Sequence, residues 1–296
     1  MILHGWLNID KPAGITSYGV IARLKRLTGQ PHIGHAGTLD PLATGVLPIA
    51  FGQAARTIEF LHLVSKTYRA TVELGIETDT LDAEGKVISL ADASHINRDI
   101  FQDVLESFIG TIQQVPPMYS ALKRNGVPLY ELARRGETVD IQPRTVIIDR
   151  IDLIDFTSPL ATIDVECGSG TYIRSLARDL GQRLGVGGYL KSLRRTRYGI
   201  FDIKDAVGLD SLKMLEDVVA RLLPNDHALA HCPRVDIDSE AADKLGHGVV
   251  MPEVTSQLTG KAAYRIYDGS GELLGLIDVS TPISRLKVFN KPSADT

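Results

Sequence analysis

The residues best suited to chemistry lie in one stretch marked by glycine and proline, residues 34–48. It contains a single carboxylate, Asp40, and an imidazole, His35. Glycine permits backbone conformations closed to other residues, and the proline after Asp40 keeps the aspartate backbone extended. The stretch has neither helical nor strand periodicity, which predicts a shaped loop that presents a carboxylate, an imidazole and backbone donors. The alternative is a tight turn in which Asp40 only caps a following helical turn.

Two further stretches carry side chains that could serve a reaction. Residues 66–75 alternate in polarity, which predicts a strand with Tyr68 on its apolar face. On this basis alone a place in the core explains Tyr68 equally well. Residues 167–174 combine a strand end, a glycine turn and the start of a helix, with Tyr172 and Arg174. That helix start could hold a phosphate, but it matches neither Gly-x-Gly-x-x-Gly nor the Walker lysine motif, so no nucleotide cofactor is indicated.

Charge is distributed unevenly along the chain. The formal net charge of −4 argues weakly against a nucleic-acid ligand. Residues 171–198, however, carry seven cations against one acid, whereas residues 69–110 carry nine acids against three cations. A concentrated basic surface matters more to a polyanion than the mean charge does. We therefore expect residues 171–198 to form a basic face for nucleic acid, with a solvated helix face as the alternative.

Bulk properties favour a cytoplasmic protein of two domains. The 296 residues are 44% hydrophobic and 23% charged, which is ordinary for a globular protein. No run of about 18 apolar residues predicts a membrane span, and the N-terminus lacks the features of a secretory signal. Cys167 and Cys232 are too few for a disulfide framework. His227, His231 and Cys232 have no further ligand group at a suitable spacing, so no metal is expected.

The periodicity of the chain predicts helices and strands in mixed order. Helical spacing of apolar residues marks residues 17–28, 100–108, 173–184, 209–223 and 239–246. Strand-like alternation marks residues 5–12, 66–75, 146–156, 161–167, 262–268, 272–279 and 285–289. The acidic residues 77–84 are expected in an exposed turn, and residues 224–233 in a linker. Lys11, at the end of the first strand, suits a phosphate contact and a solvated position equally well.

The segment GHAGTLDPLATG at residues 34–45 resembles the signature of the TruB-type tRNA pseudouridine-55 synthases. Further segments resemble motifs of that family in the same order, at residues 5–14, 66–68, 114–123, 167–174 and 193–195. The resemblance implies an α+β fold whose catalytic domain, residues 1–230, has a mixed, mainly antiparallel sheet flanked by helices. It also implies a lid over RNA at about residues 115–145 and a small PUA-like β-barrel at residues 234–292.

In that family the aspartate of the signature is the nucleophile, so the resemblance implies covalent catalysis by Asp40, with Arg174 as its partner. It makes Tyr68 a candidate for the proton transfer that completes the reaction. The residues implied to contact a flipped nucleotide are His35, Tyr68, Tyr172 and Leu193. The implied reaction isomerises a uridine in the T-arm loop of tRNA, at position 55, to pseudouridine. It needs no metal and no organic cofactor.

Three functional hypotheses remain open at this point. The first is a stand-alone enzyme, a monomer with tRNA as its partner and with no obligatory protein partner. The second is a tRNA-binding folding aid whose chemistry is secondary. The third is the catalytic subunit of a guide-RNA-directed complex of the dyskerin type, which the lack of a lysine-rich tail disfavours. The sequence does not choose whether Asp40 attacks the sugar or the base.

Overall fold

The protein is described by a computed structural model that covers residues 2–137, 139–260, 262–280 and 285–289. In chain order its strands are β1 (Gly5–Lys11), β2 (Ile33–His35), β3 (Thr44–Phe51), β4 (Lys66–Leu74), β5 (Ile76–Thr78), β6 (Val87–Leu90), β7 (Gly110–Gln114), β8 (Lys123–Arg124), β9 (Val127–Pro128), β10 (Arg144–Thr157), β11 (Leu160–Cys167), β12 (Gly188–Tyr198), β13 (Phe201–Asp202), β14 (Val207–Gly208), β15 (Arg234–Asp236), β16 (Ala263–Tyr267), β17 (Leu273–Asp278) and β18 (Arg285–Val288). The α-helices are α1 (Ser17–Thr28), α2 (Arg98–Glu106), α3 (Leu129–Arg134), α4 (Ile173–Arg183), α5 (Leu215–Val219), α6 (Ser239–Gly246) and α7 (Pro252–Thr255). Segments of 3₁₀-helix span Gly52–Leu63, Ile203–Asp205, Leu209–Ser211 and His227–Leu229.

The main sheet has ten strands, and most of them lie on one path in the order β14-β1-β3-β12-β4-β11-β10-β7. Strand β2 pairs with β3 at one side of this path, and β13 pairs with β12. The pairs β1–β14 and β3–β12 are parallel. The other pairs of the sheet are antiparallel. The predicted α+β fold with a mixed, mainly antiparallel sheet is therefore confirmed.

Apolar side chains alternate between the two faces of the main sheet. On β3, Leu47 and Ile49 belong to a large core that also contains buried side chains of α1, α2 and α4. Their neighbours Val46 and Ala50 belong to a second cluster on the other face, with Trp6. The period-two pattern of a strand covered on both faces explains this division. Packing on both faces holds the central strands rigid, so side chains that project from them are fixed in position.

Helix α1 begins and ends where the sequence predicts. The Thr16 hydroxyl accepts a hydrogen bond from the Gly19 amide at 2.9 Å, as an N-terminal cap does. At the other end Gly29 has φ of +66°, and its amide donates to the Lys25 carbonyl. Ser17, in the first turn, is buried against the loop that follows β2. The cap therefore also positions a contact to the candidate site.

The predicted single helix over residues 209–223 is wrong. The chain forms a 3₁₀ turn first and begins a separate short helix, α5, at Leu215. The Asp217 carboxylate accepts hydrogen bonds from the amides of Lys213 at 2.7 Å and Met214 at 3.0 Å. These bonds satisfy amides at a helix start, so they favour a new N-terminus over a continuous helix.

The C-terminal part has its own sheet, in the order β15-β16-β17-β18. Within the described residues it is an open four-stranded sheet, and the expected closed β-barrel is not found. Residues 281–284 and 290–292 of the predicted domain lie outside the described residues. The predicted linker, residues 224–233, is packed rather than extended: Leu229 and Cys232 share a core cluster with Phe60 and Leu276. The Trp6 indole also donates to the Asn225 carbonyl at 3.0 Å.

Candidate active site

Asp40 lies in the loop between β2 and β3, and hydrogen bonds hold both of its neighbours. The Leu39 amide donates to the Ser17 hydroxyl at 2.8 Å, and that hydroxyl donates to the Leu39 carbonyl at 3.1 Å. On the other side the Pro41 carbonyl accepts from the Lys11 ammonium at 3.3 Å. The Asp40 side chain remains 35% exposed. The loop therefore holds the carboxylate in place and leaves it partly open to solvent.

Lys11 has neither of the positions considered from the sequence. Its side chain is fully buried, and its ammonium donates to the carbonyls of Pro12 at 2.9 Å and Ile15 at 2.7 Å in addition to Pro41. Burial lowers the pKa of Lys11 to about 8, although the charge of Asp40 opposes this shift. Lys11 ties the end of β1 to the Asp40 loop and is shielded from solvent.

Arg174 connects Asp40 to a second carboxylate. Its Nε atom lies 3.0 Å from Oδ2 of Asp40, and its Nη1 atom lies 3.2 Å from Oδ2 of Asp82. Nη1 and Nη2 also donate to the carbonyls of Thr80 at 3.2 Å and Tyr119 at 2.8 Å. The Arg174 side chain is only 7% exposed. These contacts fix the guanidinium plane, so the direction of the Asp40 carboxylate is fixed as well.

Asp82 is a site residue that sequence reasoning missed. The prediction of an exposed acidic turn is wrong at this position, because Asp82 is only 3% exposed. Its carboxylate accepts hydrogen bonds from the Thr80 hydroxyl and from the Glu84 amide. A backbone β-bridge joins Asp82 to Leu190 of β12. No local pattern distinguishes Asp82 from the acids around it. The opposite charges of residues 69–110 and 171–198 were the available signal that these segments pair.

That pairing also changes the interpretation of residues 171–198. Within the described residues, ion pairs join Arg174 to Asp40 and Asp82, Arg178 to Asp179, Lys191 to Glu73, Arg194 to Asp10 and Arg197 to Glu166. Arg195 is buried. The predicted basic face is therefore partly neutralised by ion pairs, although Lys191, Arg194 and Arg197 remain 44%, 41% and 39% exposed. Arg174 and Arg195 are almost fully buried and face into the protein instead.

The electrostatics of Asp40 are a balance of opposing effects. Burial raises the pKa of Asp40, Arg174 and Lys11 lower it, and the charge of Asp82 raises it again. The net direction is upward from the usual value. A carboxylate with a raised pKa is a better nucleophile than a strongly stabilised one, and the two cations oppose the effect of burial on it. The surroundings of Asp40 therefore suit it to covalent chemistry.

Tyr68 and Leu193 lie on adjacent strands at the centre of the sheet. Tyr68 of β4 is directly opposite Arg195 of β12, and Leu193 is opposite Ala70. Tyr68 and Leu193 belong to the same apolar cluster as Leu39 of the Asp40 loop. Burial raises the pKa of Tyr68, Arg195 opposes the rise, and the negative charge of Asp40 adds to it. The hydroxyl is therefore within electrostatic reach of the carboxylate.

Tyr172 stands at the start of α4, beside the predicted lid. Its amide donates to Oε1 of Gln114 at 2.8 Å, and its carbonyl accepts from the same side-chain amide at 3.1 Å. Burial raises the pKa of Tyr172, the charges of Arg144 and Arg174 lower it, and the charge of Asp40 raises it. The structure thus brings Tyr172, Tyr68 and Arg174 around Asp40.

His35 lies at the start of the same loop, on β2, next to Arg195. Burial lowers the pKa of His35, and the charge of Arg195 lowers it further, so the imidazole is neutral at physiological pH. Within the described residues its Nδ1 atom is buried and has no hydrogen-bond partner. A buried polar atom without a partner calls for an explanation, and a hydrogen bond to a substrate group would supply one.

The segment predicted as a lid has secondary structure of its own. Strands β8 and β9 form a short hairpin, and α3 follows. A cleft of about 400 Å³ is lined by Leu122, Lys123, Arg124, Leu129 and residues 140–144. The Arg124 guanidinium donates to the Asp140 carbonyl at 2.7 Å, which closes the base of the segment. Thr138 of this segment lies outside the described residues. A groove with several cations beside Tyr172 suits an RNA strand.

Searches for a metal centre and for a membrane span gave no candidate in the part of the chain that the structure describes. No group of three or more His, Cys, Asp or Glu side chains there is arranged to hold a metal ion. His231 and Cys232 do contact each other, with Nε2 and Sγ 3.4 Å apart. No described helix is both long enough and apolar enough to cross a bilayer.

The architecture is similar to that of solved Cbf5 structures. A crystal structure of a Cbf5–Nop10–Gar1 complex aligns with a TM-score of 0.73 and 27% identity, over 97% of this chain and 84% of that one. The archaeal box H/ACA sRNP Nop10–Cbf5 complex aligns with a TM-score of 0.71 and 25% identity, over 97% and 86% of the two chains. The fold therefore defines the class, an α+β protein with the architecture of the Cbf5 structures.

Sequence comparison identifies the family within that class. A model of the TruB family pseudouridylate synthase N-terminal domain matches residues 25–173, and a model of the tRNA pseudouridylate synthase B C-terminal domain matches residues 174–230. The tRNA pseudouridine synthase B of Dehalococcoides mccartyi is 42% identical over 98% of both chains. That of Synechococcus elongatus is 42% identical over 97% of this chain and 98% of its own. The chain belongs to the TruB family of pseudouridylate synthases.

Proposed function

We propose that the chain is a stand-alone enzyme that isomerises the uridine at position 55, in the T-arm loop of tRNA, to pseudouridine. Isomerisation of a tRNA uridine is the activity named for its relatives. The observation that carries the proposal is the Asp40–Arg174–Asp82 network, in which a clamped, partly exposed carboxylate is oriented by a buried guanidinium. Such an arrangement prepares a nucleophile before the substrate arrives.

The reaction must break the bond between N1 of the base and C1′ of the ribose and form a bond between C5 and C1′. Asp40 attacks either the ribose or the base, and it is released when the new carbon–carbon bond has formed. The proton on C5 then leaves, its electron pair restores the double bond of the ring, and N1 takes a proton from solvent. Tyr68, buried within electrostatic reach of Asp40, is the candidate acceptor for the C5 proton.

Access to the uridine requires that the base leave its stack. Extrusion of a base costs a few kcal/mol, so the pocket must stabilise the flipped nucleotide. We assign its contacts to His35, Tyr68, Tyr172 and Leu193, and the orientation of Asp40 to Arg174. Two observations support this assignment: Tyr68 and Leu193 share an apolar cluster with Leu39 of the Asp40 loop, and the charge of Asp40 acts on the pKa of Tyr68 and of Tyr172.

The domain organisation belongs to the same proposal. We assign residues 1–230 to the catalytic domain, about 115–145 to an RNA-contacting lid and 234–292 to a PUA-like domain, although its described strands form an open sheet. We expect a cytoplasmic monomer that needs no metal, organic cofactor or protein partner. The lid cleft, which contains Lys123 and Arg124, supports an RNA contact.

Incubation of the purified chain with an unmodified tRNA transcript tests the proposal. Uridine labelled with tritium at C5 should release its label, because C5 becomes the point of attachment to the sugar. A transcript with cytidine at position 55 is the matched control and should release none. Release only after addition of a guide RNA or of other proteins would contradict a stand-alone enzyme. Tight binding with improved tRNA folding and no release would favour the folding aid.

A further inference from the structure

Arg195 is a buried cation that the proposed reaction has not yet used. The residue is 1% exposed, and its Nε and Nη2 atoms donate to the carbonyls of Val46 at 2.7 Å and Gly37 at 3.0 Å. Its guanidinium carbon lies 5.1 Å from the centre of the Tyr198 ring. In the described part of the chain no ion pair joins it to a carboxylate. Burial of an unpaired charge is costly, so a cation held in this way calls for a function.

The two carbonyls that Arg195 binds are the two ends of the Asp40 loop. Gly37 precedes Asp40 and Val46 follows it, so one guanidinium joins the entry and the exit of the loop. The approach is close: a Cβ on Gly45, where φ is +99°, would lie 2.2 Å from the Arg195 carbonyl. Only glycine fits there. Arg195 therefore fixes the position of the Asp40 loop relative to β12.

Arg195 also lies across the sheet from Tyr68. The two residues are directly opposite on β12 and β4, so their side chains leave the sheet on the same face. Burial raises the pKa of Tyr68, and the charge of Arg195 opposes the rise. The other titratable groups that act on Tyr68 are the Cys167 thiol on β11, the Asp40 carboxylate and the Tyr198 hydroxyl. Arg195 supplies the positive charge that favours the ionised hydroxyl.

We propose that Arg195 is a positioning residue of the isomerisation, which closes the Asp40 loop and holds Tyr68 so that its ionised oxygen accepts the C5 proton and becomes the neutral hydroxyl. The inference rests on the proposed function, because it assigns these two roles to Asp40 and Tyr68. It separates Arg195 from Arg194, the preceding cation of the same strand, whose guanidinium pairs with Asp10 and is 41% exposed.

Single-turnover kinetics of two variants test the inference. Arg195→Lys keeps the charge and cannot bridge both carbonyls, whereas Arg195→Gln keeps a donor and has no charge. At saturating enzyme both should lose about 100-fold in rate, because a misplaced catalytic group costs about that much. Affinity for tRNA should stay within about threefold, because a buried cation does not release counterions from RNA. Arg69→Lys, on β4 with an exposed pair to Asp164, is the matched control and should keep its rate.

The pH dependence distinguishes positioning from a merely structural role. In the pH–rate profile of Arg195→Gln the alkaline limb, which is the rise in rate as Tyr68 ionises, should move to higher pH by about one unit or more. The reason is that an adjacent cation lowers the pKa of such a group by about 1–3 units. That limb should be absent in Tyr68→Phe, and Tyr68→Phe should cost less in the Arg195→Gln background than in the wild type. In Arg195→Lys the limb should stay near its original position.

Each of the other outcomes of these experiments overturns one part of the proposal. Variants that lose rate only in proportion to a lower Tm, with an unchanged pH profile, would make Arg195 a structural residue. Variants with full rate would remove its role altogether. If Arg195→Lys does not fold, Arg195→Gln decides alone, since it buries no charge. A wild type that forms no pseudouridine would overturn the proposed function itself, which is a different result from an active wild type with indifferent variants.

Discussion

Replacement of Arg174 by lysine keeps a positive charge beside Asp40 and removes most of the contacts that hold this charge in position. In the native site Nε faces Asp40 at 3.0 Å, Nη1 faces Asp82 at 3.2 Å, and Nη2 donates to the Tyr119 carbonyl at 2.8 Å. A lysine ammonium is a single point on a flexible stem and cannot satisfy these partners together. The closest contact to Asp40 is made through Nε, while Nη1 and Nη2 bond to other partners. The network around the guanidinium sets its direction.

The expected loss can be worked from these contacts. Removal of one oriented, charge-assisted contact that acts in the transition state costs about 3–4 kcal/mol, or about 100- to 1000-fold in rate. Binding of tRNA should change little, because the Arg174 side chain is 7% exposed and its donors are already bonded within the protein. Single-turnover release of the C5 label at saturating enzyme measures the rate, and filter binding measures the affinity.

A neighbouring arginine of α4 is the matched control. Arg178 lies one helical turn after Arg174, pairs with Asp179 and donates to the Val115 carbonyl at 3.0 Å. Arg178→Lys should keep the single-turnover rate. If Arg174→Lys instead weakens tRNA binding and keeps its rate at saturation, Arg174 only belongs to an RNA-facing helix, and its role in orienting Asp40 is refuted.

Three further predictions follow from other parts of the site. Asp82→Asn should slow single turnover by about tenfold, because Arg174 loses a charged partner worth about 1.5 kcal/mol or more. The acid limb of the pH–rate profile of this variant should also move to lower pH, because the charge of Asp82 raises the pKa of Asp40. An unchanged rate would count against the network. Amides of residues 119–137 and 139–144 should exchange with solvent more slowly when tRNA binds, and equal protection in both states would remove the lid hypothesis. Burial lowers the pKa of Lys66 from 10.5 to about 8, so the unfolded chain binds more protons than the folded chain between these pH values. The free energy of unfolding of the wild type should therefore rise by about 3 kcal/mol relative to that of Lys66→Met as the pH rises through this window. Denaturant titrations that show a constant difference between the two proteins would contradict the buried position of Lys66.

Local signals predicted much of the architecture. The cap residue Thr16 and the closing Gly29 located α1, and the period-two pattern located β4 with Tyr68 on its buried face. The glycine- and proline-marked loop located Asp40. Each of these signals depends on neighbours in the sequence, which is why they can be recognised without a structure. The structure adds that Arg174 of α4 meets Asp40, as the family resemblance implied.

The features of the site that the sequence did not predict are long-range contacts between polar groups. Asp82 is buried because Arg174, 92 residues away, needs a partner. Lys11 is buried because the Asp40 loop folds back over the end of β1. Arg195 satisfies carbonyls that are 149 and 158 residues distant. Sequence patterns treat charged residues as exposed, and only tertiary structure supplies the partners that make their burial possible.

The most direct test of the central claim is Asp40→Asn, assayed with a tRNA transcript by nuclease digestion and mass spectrometry of the fragment that contains position 55. Asparagine has nearly the shape of aspartate and no nucleophilic carboxylate. The variant should fold, bind tRNA as the wild type does and leave position 55 as uridine, whereas the wild type converts it. Appreciable pseudouridine at position 55 with a clean Asp40→Asn preparation would contradict covalent catalysis by Asp40.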